Sequence, residues 1–203
     1  KLGNPQDKLK NVISVVGTNS KYSMIKSFQS ILNQAGYKCN LYTSPHLQSY
    51  TERYVYDDKE IDEDNLADLL EDIEKINGSD NLSEFEALTC AYLKYCEQYR
   101  DNVTFIEAGL FHRMDSTNVF KNNLCSLLGS VSIDHLSWLE NKSIDGIIHE
   151  KTTKLLTSKV FINKQENKET TLKIKNALKD NKSEKYFYGD DFNYLTAENN
   201  FIQ

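Results

Sequence analysis

The chain has 203 residues, of which 39% are hydrophobic and 27% charged, and a formal net charge of −6. A chain of that length buries one sizeable core, and its composition excludes a disordered polymer. The acidic surplus argues against a general nucleic-acid binder, and no apolar run is long enough to cross a membrane.

Residues 12–16 (Val-Ile-Ser-Val-Val) read as a buried strand. The run breaks at Gly17, and a helical pattern starts after Thr18-Asn19-Ser20. A strand that turns sharply into a helix aims free N–H groups and the positive end of the helix dipole at one point. With Lys21 beside it, such a turn suits a polyphosphate. The strict phosphate-loop pattern needs Gly-Lys-Ser/Thr, whereas Lys21 lies between Ser20 and Tyr22. An ordinary turn with an exposed lysine therefore stays open at this point. Met24, Ile25, Phe28, Ile31 and Leu32 predict a helix over 21–35 that stops at Gly36. Residues 37–42 read as a second strand, which completes the βαβ unit of a parallel sheet. Thr43-Ser44-Pro45-His46-Leu47 follows at the edge where ligands gather in α/β sheets. Ser44 and His46 are candidates there, although turns rich in Ser and Pro are common without any function.

Residues 53–56 alternate as a short strand. Asp62 caps a helix to about 76, with Leu66, Leu69, Leu70 and Ile73 as its apolar stripe and an acidic, solvated outer face. The next helix, 83–99, opens on Ser83 and Glu86, a capping-box match that gives Glu86 a purely local role on pattern alone. Residues 103–107 form a strand ending on Glu107. A carboxylate at the end of a buried strand needs a counter-charge or a cation. A polar loop, 110–118, follows on the same edge. Residues 124–133 read as an apolar strand that ends on Asp134 and His135. A helix over 144–156 carries His149, Glu150 and Lys151, where Glu150-Lys151 reads most simply as a surface pair. Strand 159–163, helix 170–178 and strand 185–188 complete the pattern, and Asp190 begins an irregular segment. Cys39, Cys90, Cys96 and Cys125 form no C-x-x-C pair and predict free thiols in a reducing cytosol. The chain begins at Lys1 without an initiator methionine, as a fragment would.

Several motifs then line up in order. Gly17 to Ser23 resembles G-T-N-G-K-G-S, and Tyr42 to Leu47 reads Y-T-S-P-H-L. Tyr50 to Arg53 resembles F-x-E-R, Phe85 to Thr89 reads F-E-x-L-T, and Glu107 to Asn118 resembles E-V-G-L-G-G-R-L-D-A-T-N. Ile133-Asp134-His135 stands for L-D-H, and Glu150 to Thr153 for E-K-A-G. The ordered set resembles the folylpolyglutamate synthase/dihydrofolate synthase family of Mur-ligase-like, ATP-dependent amide ligases. The resemblance implies an α/β fold, a P-loop-containing Mur-ligase-like central domain with a mainly parallel sheet flanked by helices. It makes residues 1–203 an N-terminal ATPase domain, incomplete at its C-terminal end and without the C-terminal ligase domain.

The implied activity joins L-glutamate to dihydropteroate or folates through an acyl phosphate. Ser20, Lys21, Tyr22 and Ser23 would cradle ATP, with Lys21 on the outer phosphates. Ser44, Glu107 and His135 would bind Mg2+, and Lys151 matches a lysine that carries a carbamate. Phe85, Glu86, Asp115 and Ser116 would line the pterin or folate site. The expected setting is a cytoplasmic monomer with small-molecule substrates and no nucleic-acid or membrane partner. Glycines of the family pattern are replaced at Ser20, Tyr22, Phe111, His112 and Thr153. A degenerate, inactive remnant and another Mur-like ligase are the alternatives.

Overall fold

The computed structural model describes residues 1–121, 123–155 and 157–194. Eight strands form one sheet: β1 (Asn11–Val16), β2 (Cys39–Tyr42), β3 (Tyr54–Tyr56), β4 (Lys59–Glu60), β5 (Val103–Glu107), β6 (Cys125–Leu128), β7 (Lys159–Ile162) and β8 (Glu184–Phe187). Their order across the sheet is β4-β3-β2-β5-β1-β6-β7-β8. All neighbours from β2 to β8 run parallel, and β3 and β4 add an antiparallel edge. This is the α/β architecture the sequence predicts.

Alternation along the strands divides the core. Val12 and Ile106 pack with Tyr42 and Tyr54 against α2 (Glu63–Asn77) and α3 (Glu84–Cys96). Val16, Leu128 and Val160 meet α4 (Ile144–Thr152) and α5 (Lys168–Ala177). The intervening residues Ile13, Val15, Leu41 and Phe105 face the other way, onto Ile25 of α1 (Lys21–Gln34). Phe105 is fully buried, so its truncation to alanine would cost about 3–5 kcal/mol. The Tyr42 and Tyr92 rings meet tilted at 4.9 Å, and Tyr56 and Tyr92 stack at 5.1 Å, which fastens α3 to β2 and β3.

Local chemistry explains the boundaries. Gly36 ends α1 at φ +85°, Asp62 accepts from the Asn65 N–H, and Ser83 with Glu86 closes its capping box. Two expectations shift. The strand predicted over 124–133 pairs only as β6, because its backbone turns at Gly129 toward the first β-to-α turn; Gly129 N–H still bonds Val16 O, but Ile133 is exposed. The helix predicted over 144–156 ends at Thr152. Lys154 then takes φ +64°, and Leu156 lies outside the described residues. The four cysteines are free.

Candidate functional site

β2 to β5 all lie on one side of β1, and the chain then crosses to β6 on the other. The carboxyl edge of β1 therefore lies at the point where connections diverge, the usual place for a ligand in such sheets. The turn after β1 is fastened from behind. Thr18 N–H donates to Ser130 O at 2.8 Å, and Thr18 Oγ1 accepts from Ser132 N–H at 3.2 Å. A Cβ on Gly129 would stand 2.8 Å from Asn19 O, so glycine is required for that approach.

Ser20 enters α1 at φ +66° and provides no side-chain cap. A non-glycine residue there costs about 1–2 kcal/mol, and the uncapped first-turn N–H groups of α1 remain as donors. The Tyr22 ring is exposed to solvent. Lys21, the first helical residue, points back over the sheet edge. Its Nζ stands 3.6 Å from Glu107 Oε1, with both side chains largely shielded. Glu107 Oε2 accepts the Ser44 N–H at 3.0 Å. Burial raises the Glu107 pKa, against the pull of that N–H and of Lys21.

Above this pair opens a cavity of about 720 Å³. Its lining includes Lys21, Ser44, Phe85, Glu86, Asp115, Ser116 and His135, which the sequence drew from five separate segments. Asp115 is fixed by three donors: Gly109 N–H at 3.0 Å, Thr117 N–H at 2.9 Å and Thr117 Oγ1 at 2.6 Å. Burial raises its pKa nonetheless. Ser116 Oγ shares a 2.9 Å hydrogen bond with Thr89 Oγ1. Glu86 caps α3 and also borders a second cavity of about 450 Å³, beside Leu82, Cys90 and Ser116. Ser23 lies in the first turn of α1, beyond Ser20 and Tyr22.

The chemistry of a hard divalent cation suits Glu107 and the Ser44 hydroxyl, because a buried carboxylate with one N–H and one ammonium nearby is under-compensated. His135 reaches the same cavity, with its Nε2 3.3 Å from Asp134 Oδ2. Among the described residues no cluster of three His, Cys, Asp or Glu forms a complete protein cage. A cation here would complete its shell with oxygens of water or of a ligand.

Lys151 is not a surface residue. It is 3% exposed, and its Nζ donates to Gly17 O at 3.0 Å and Leu110 O at 2.9 Å. Burial, then the charge of Lys21, pushes its pKa down to about 8. Glu150 instead pairs with Arg113 through both carboxylate oxygens, from Nε at 2.9 and 3.0 Å.

Two residues of the site carried no assigned role in the sequence. His112 replaces a small residue of the motif and is buried, with Nδ1 unpartnered among the described residues. Burial and Lys151 lower its pKa to about 4. Arg53, the last residue of Tyr50-Thr51-Glu52-Arg53, lines the large cavity. Its place in that motif was the available signal.

No family model matches the chain. It is 36% identical over 144 residues to a dihydrofolate synthetase of Saccharomyces cerevisiae, covering 69% of this chain and 34% of that protein. It is 36% identical over 128 residues to the dihydrofolate synthase/folylpolyglutamate synthase of Escherichia coli, covering 63% of this chain and 30% of that one. The solved structure of E. coli FolC in complex with DHPP and ADP superposes with a TM-score of 0.84 at 29% identity, over 97% of this chain and 46% of that one. The chain thus spans about a third of the curated relatives and under half of that solved chain.

Proposed function

The chain belongs to the folylpolyglutamate synthase/dihydrofolate synthase family, and from that premise we propose that it is the N-terminal ATPase domain of an ATP-dependent carboxylate–amine ligase. In the proposed reaction a carboxylate oxygen of dihydropteroate or a folate takes the terminal phosphoryl group of ATP, releasing ADP. The amine of L-glutamate then attacks the acyl carbon, and phosphate leaves. The observation that carries this reading is the Lys21–Glu107 pair beneath the first β-to-α turn, opening on a cavity lined by Phe85, Glu86, Asp115 and Ser116.

Each residue has a proposed task. The N–H groups of residues 20–23 and the α1 dipole hold phosphate oxygens, and Lys21 balances their charge. Ser44, Glu107 and His135 hold Mg2+, which when bound would offset charge on the phosphates. Lys151 supports the turn through Gly17 O, and its lowered pKa leaves part of the amine neutral near pH 8, the form able to take up CO2 as a carbamate. Phe85 offers a ring face to a planar substrate, while Glu86, Asp115 and Ser116 offer acceptors. The proposed setting is a cytoplasmic monomer. No helix among the described residues is long and apolar enough to cross a membrane.

Calorimetric titration with ATP and Mg2+ tests the reading. Saturable binding that Lys21→Ala abolishes is expected, together with thermal stabilisation by pteroate. A flat titration up to millimolar ATP would overturn it and leave an inactive remnant.

A further inference from the structure

Arg53 sits at the carboxyl edge of the sheet, where its carbonyl accepts the Thr43 N–H at 3.2 Å. Its guanidinium is held on one side only. Nε donates to His46 Nδ1 at 2.9 Å. The guanidinium carbon lies 5.3 Å from the centre of the Tyr50 ring, and the His46 and Tyr50 rings are 4.3 Å apart. Tyr50 is tethered in turn, its hydroxyl donating to Glu84 Oε1 at 2.7 Å. Glu52, the nearest acid in sequence, is occupied elsewhere: it accepts the N–H groups of Leu47, Gln48 and Ser49 at 2.7–2.9 Å. Among the described residues no carboxylate lies within ion-pair distance of Arg53, although its charge helps hold down the Glu107 pKa, and neither terminal nitrogen has a protein acceptor. The side chain nonetheless lines the large cavity, as do Lys21, Ser44 and Phe85.

A purely structural arginine would spend its fork on carbonyls or on an acid. Here the edge that bonds the protein is Nε, and the residue lines the cavity. A planar guanidinium so fixed is preorganised for two parallel bonds to one oxyanion. Phosphate already has its own donors at the start of α1, with Lys21. Arg53 shares the cavity with Lys21, Ser44 and Phe85, and its charge also acts on Glu107. We infer that Arg53 is the residue that recognises the carboxylate of the acyl substrate, and that His46 is its positioning residue. This deepens the proposed ligase function and rests on it for the identity of the substrate. His46 must keep Nδ1 unprotonated to accept from Nε, so its ring proton sits on Nε2.

The probes are 4-(methylamino)benzoate and its uncharged carboxamide, titrated separately into the isotopically labelled chain and followed by NMR. Wild type should favour the acid about tenfold, the usual worth of a charged hydrogen-bond pair. Arg53→Met should bind both alike, with ATP affinity unchanged. Arg53→Lys, which keeps the charge without the fork, should retain about threefold preference and serves if the methionine variant does not fold. His46→Asn presents an oxygen near the place of Nδ1 and should keep the preference, whereas His46→Ala should lose most of it. A preference untouched in both Arg53 variants overturns the assignment, as does an ATP affinity that falls with Arg53. Pteroate is titrated alongside: if it binds no tighter than the benzoate, the folate reading fails while the role of Arg53 stands.

Discussion

Lys21 Nζ lies 3.6 Å from Glu107 Oε1, joining the start of the first helix to the end of a strand 86 positions further along. That single contact sets the charge of the site floor. Removing the ammonium leaves Glu107 with the Ser44 N–H as its remaining close donor, so Lys21→Met should raise the Glu107 pKa further and weaken ATP binding at least about 100-fold. Calorimetry at pH 7.5 reads the second effect. An affinity within threefold of wild type would remove Lys21 from the phosphate site.

Glu107 also predicts a pH dependence. Its folded pKa is raised by burial, so folding favours the protonated acid. Its contribution is present below the unfolded pKa and is lost as pH rises through the folded value. Relative to Glu107→Gln, the nucleotide-free wild type should therefore lose stability between about pH 4 and pH 7. Paired urea melts at the two pH values measure the difference; the opposite slope would contradict the burial.

Lys151 should act in the other direction. Its folded pKa is depressed to about 8, so the neutral amine is favoured on folding. The stability it contributes is full above the unfolded lysine pKa and is lost as pH falls through about 8. Compared with Lys151→Met, wild type should gain stability from pH 7 to pH 10. A pH-independent difference in melting temperature would show that the ammonium is not desolvated.

Ser20→Gly should stabilise the chain by up to about 1 kcal/mol, because relief of the left-handed strain exceeds the extra freedom of glycine in the unfolded state. The same variant should bind ATP as tightly as wild type or better. A loss of affinity would mean that the Ser20 hydroxyl, which donates to Asn19 O at 2.6 Å, organises the turn.

Gly109→Ala should separate the two halves of the site. A Cβ there meets Asp115 Oδ2 at 2.8 Å and Phe85 Cε1 at 3.0 Å. The overpacking should cost about 1–3 kcal/mol, and pteroate affinity should fall at least about tenfold with ATP affinity unchanged. Equal loss of both ligands would place Gly109 in the general scaffold instead.

Much of this was legible in the residue pattern. Strand-to-helix periodicity located β1, α1 and β5, and capping chemistry at Asp62 and Ser83 fixed the starts of α2 and α3. The β3–β4 hairpin was half missed, since β4 has two residues and no alternation to detect. Its signal was Asp57-Asp58, which take φ +50° and +66° as a tight hairpin turn requires. The strand over 124–133 was overextended because Val131 is apolar for a different reason, packing with Ile147 and Ile148 rather than pairing in the sheet. Lys151 looked like a surface charge from its neighbour Glu150, and only the fold reveals that the two point apart, one to Gly17 and the other to Arg113. The free fork of Arg53 is likewise invisible to spacing, since it depends on where His46 turns its ring.

The central position of β1 has a consequence for how the molecule comes into being. Asn11 aligns with Val103 and Ile13 with Cys125, so β1 leaves a ribosome well before either strand that flanks it. Until β6 has been made, the nascent phosphate turn has no platform behind it, and contacts this distant make assembly slow. Sequence changes that delay β5 or β6 would therefore reach the nucleotide loop as a defect in maturation, even where the finished site is unaltered.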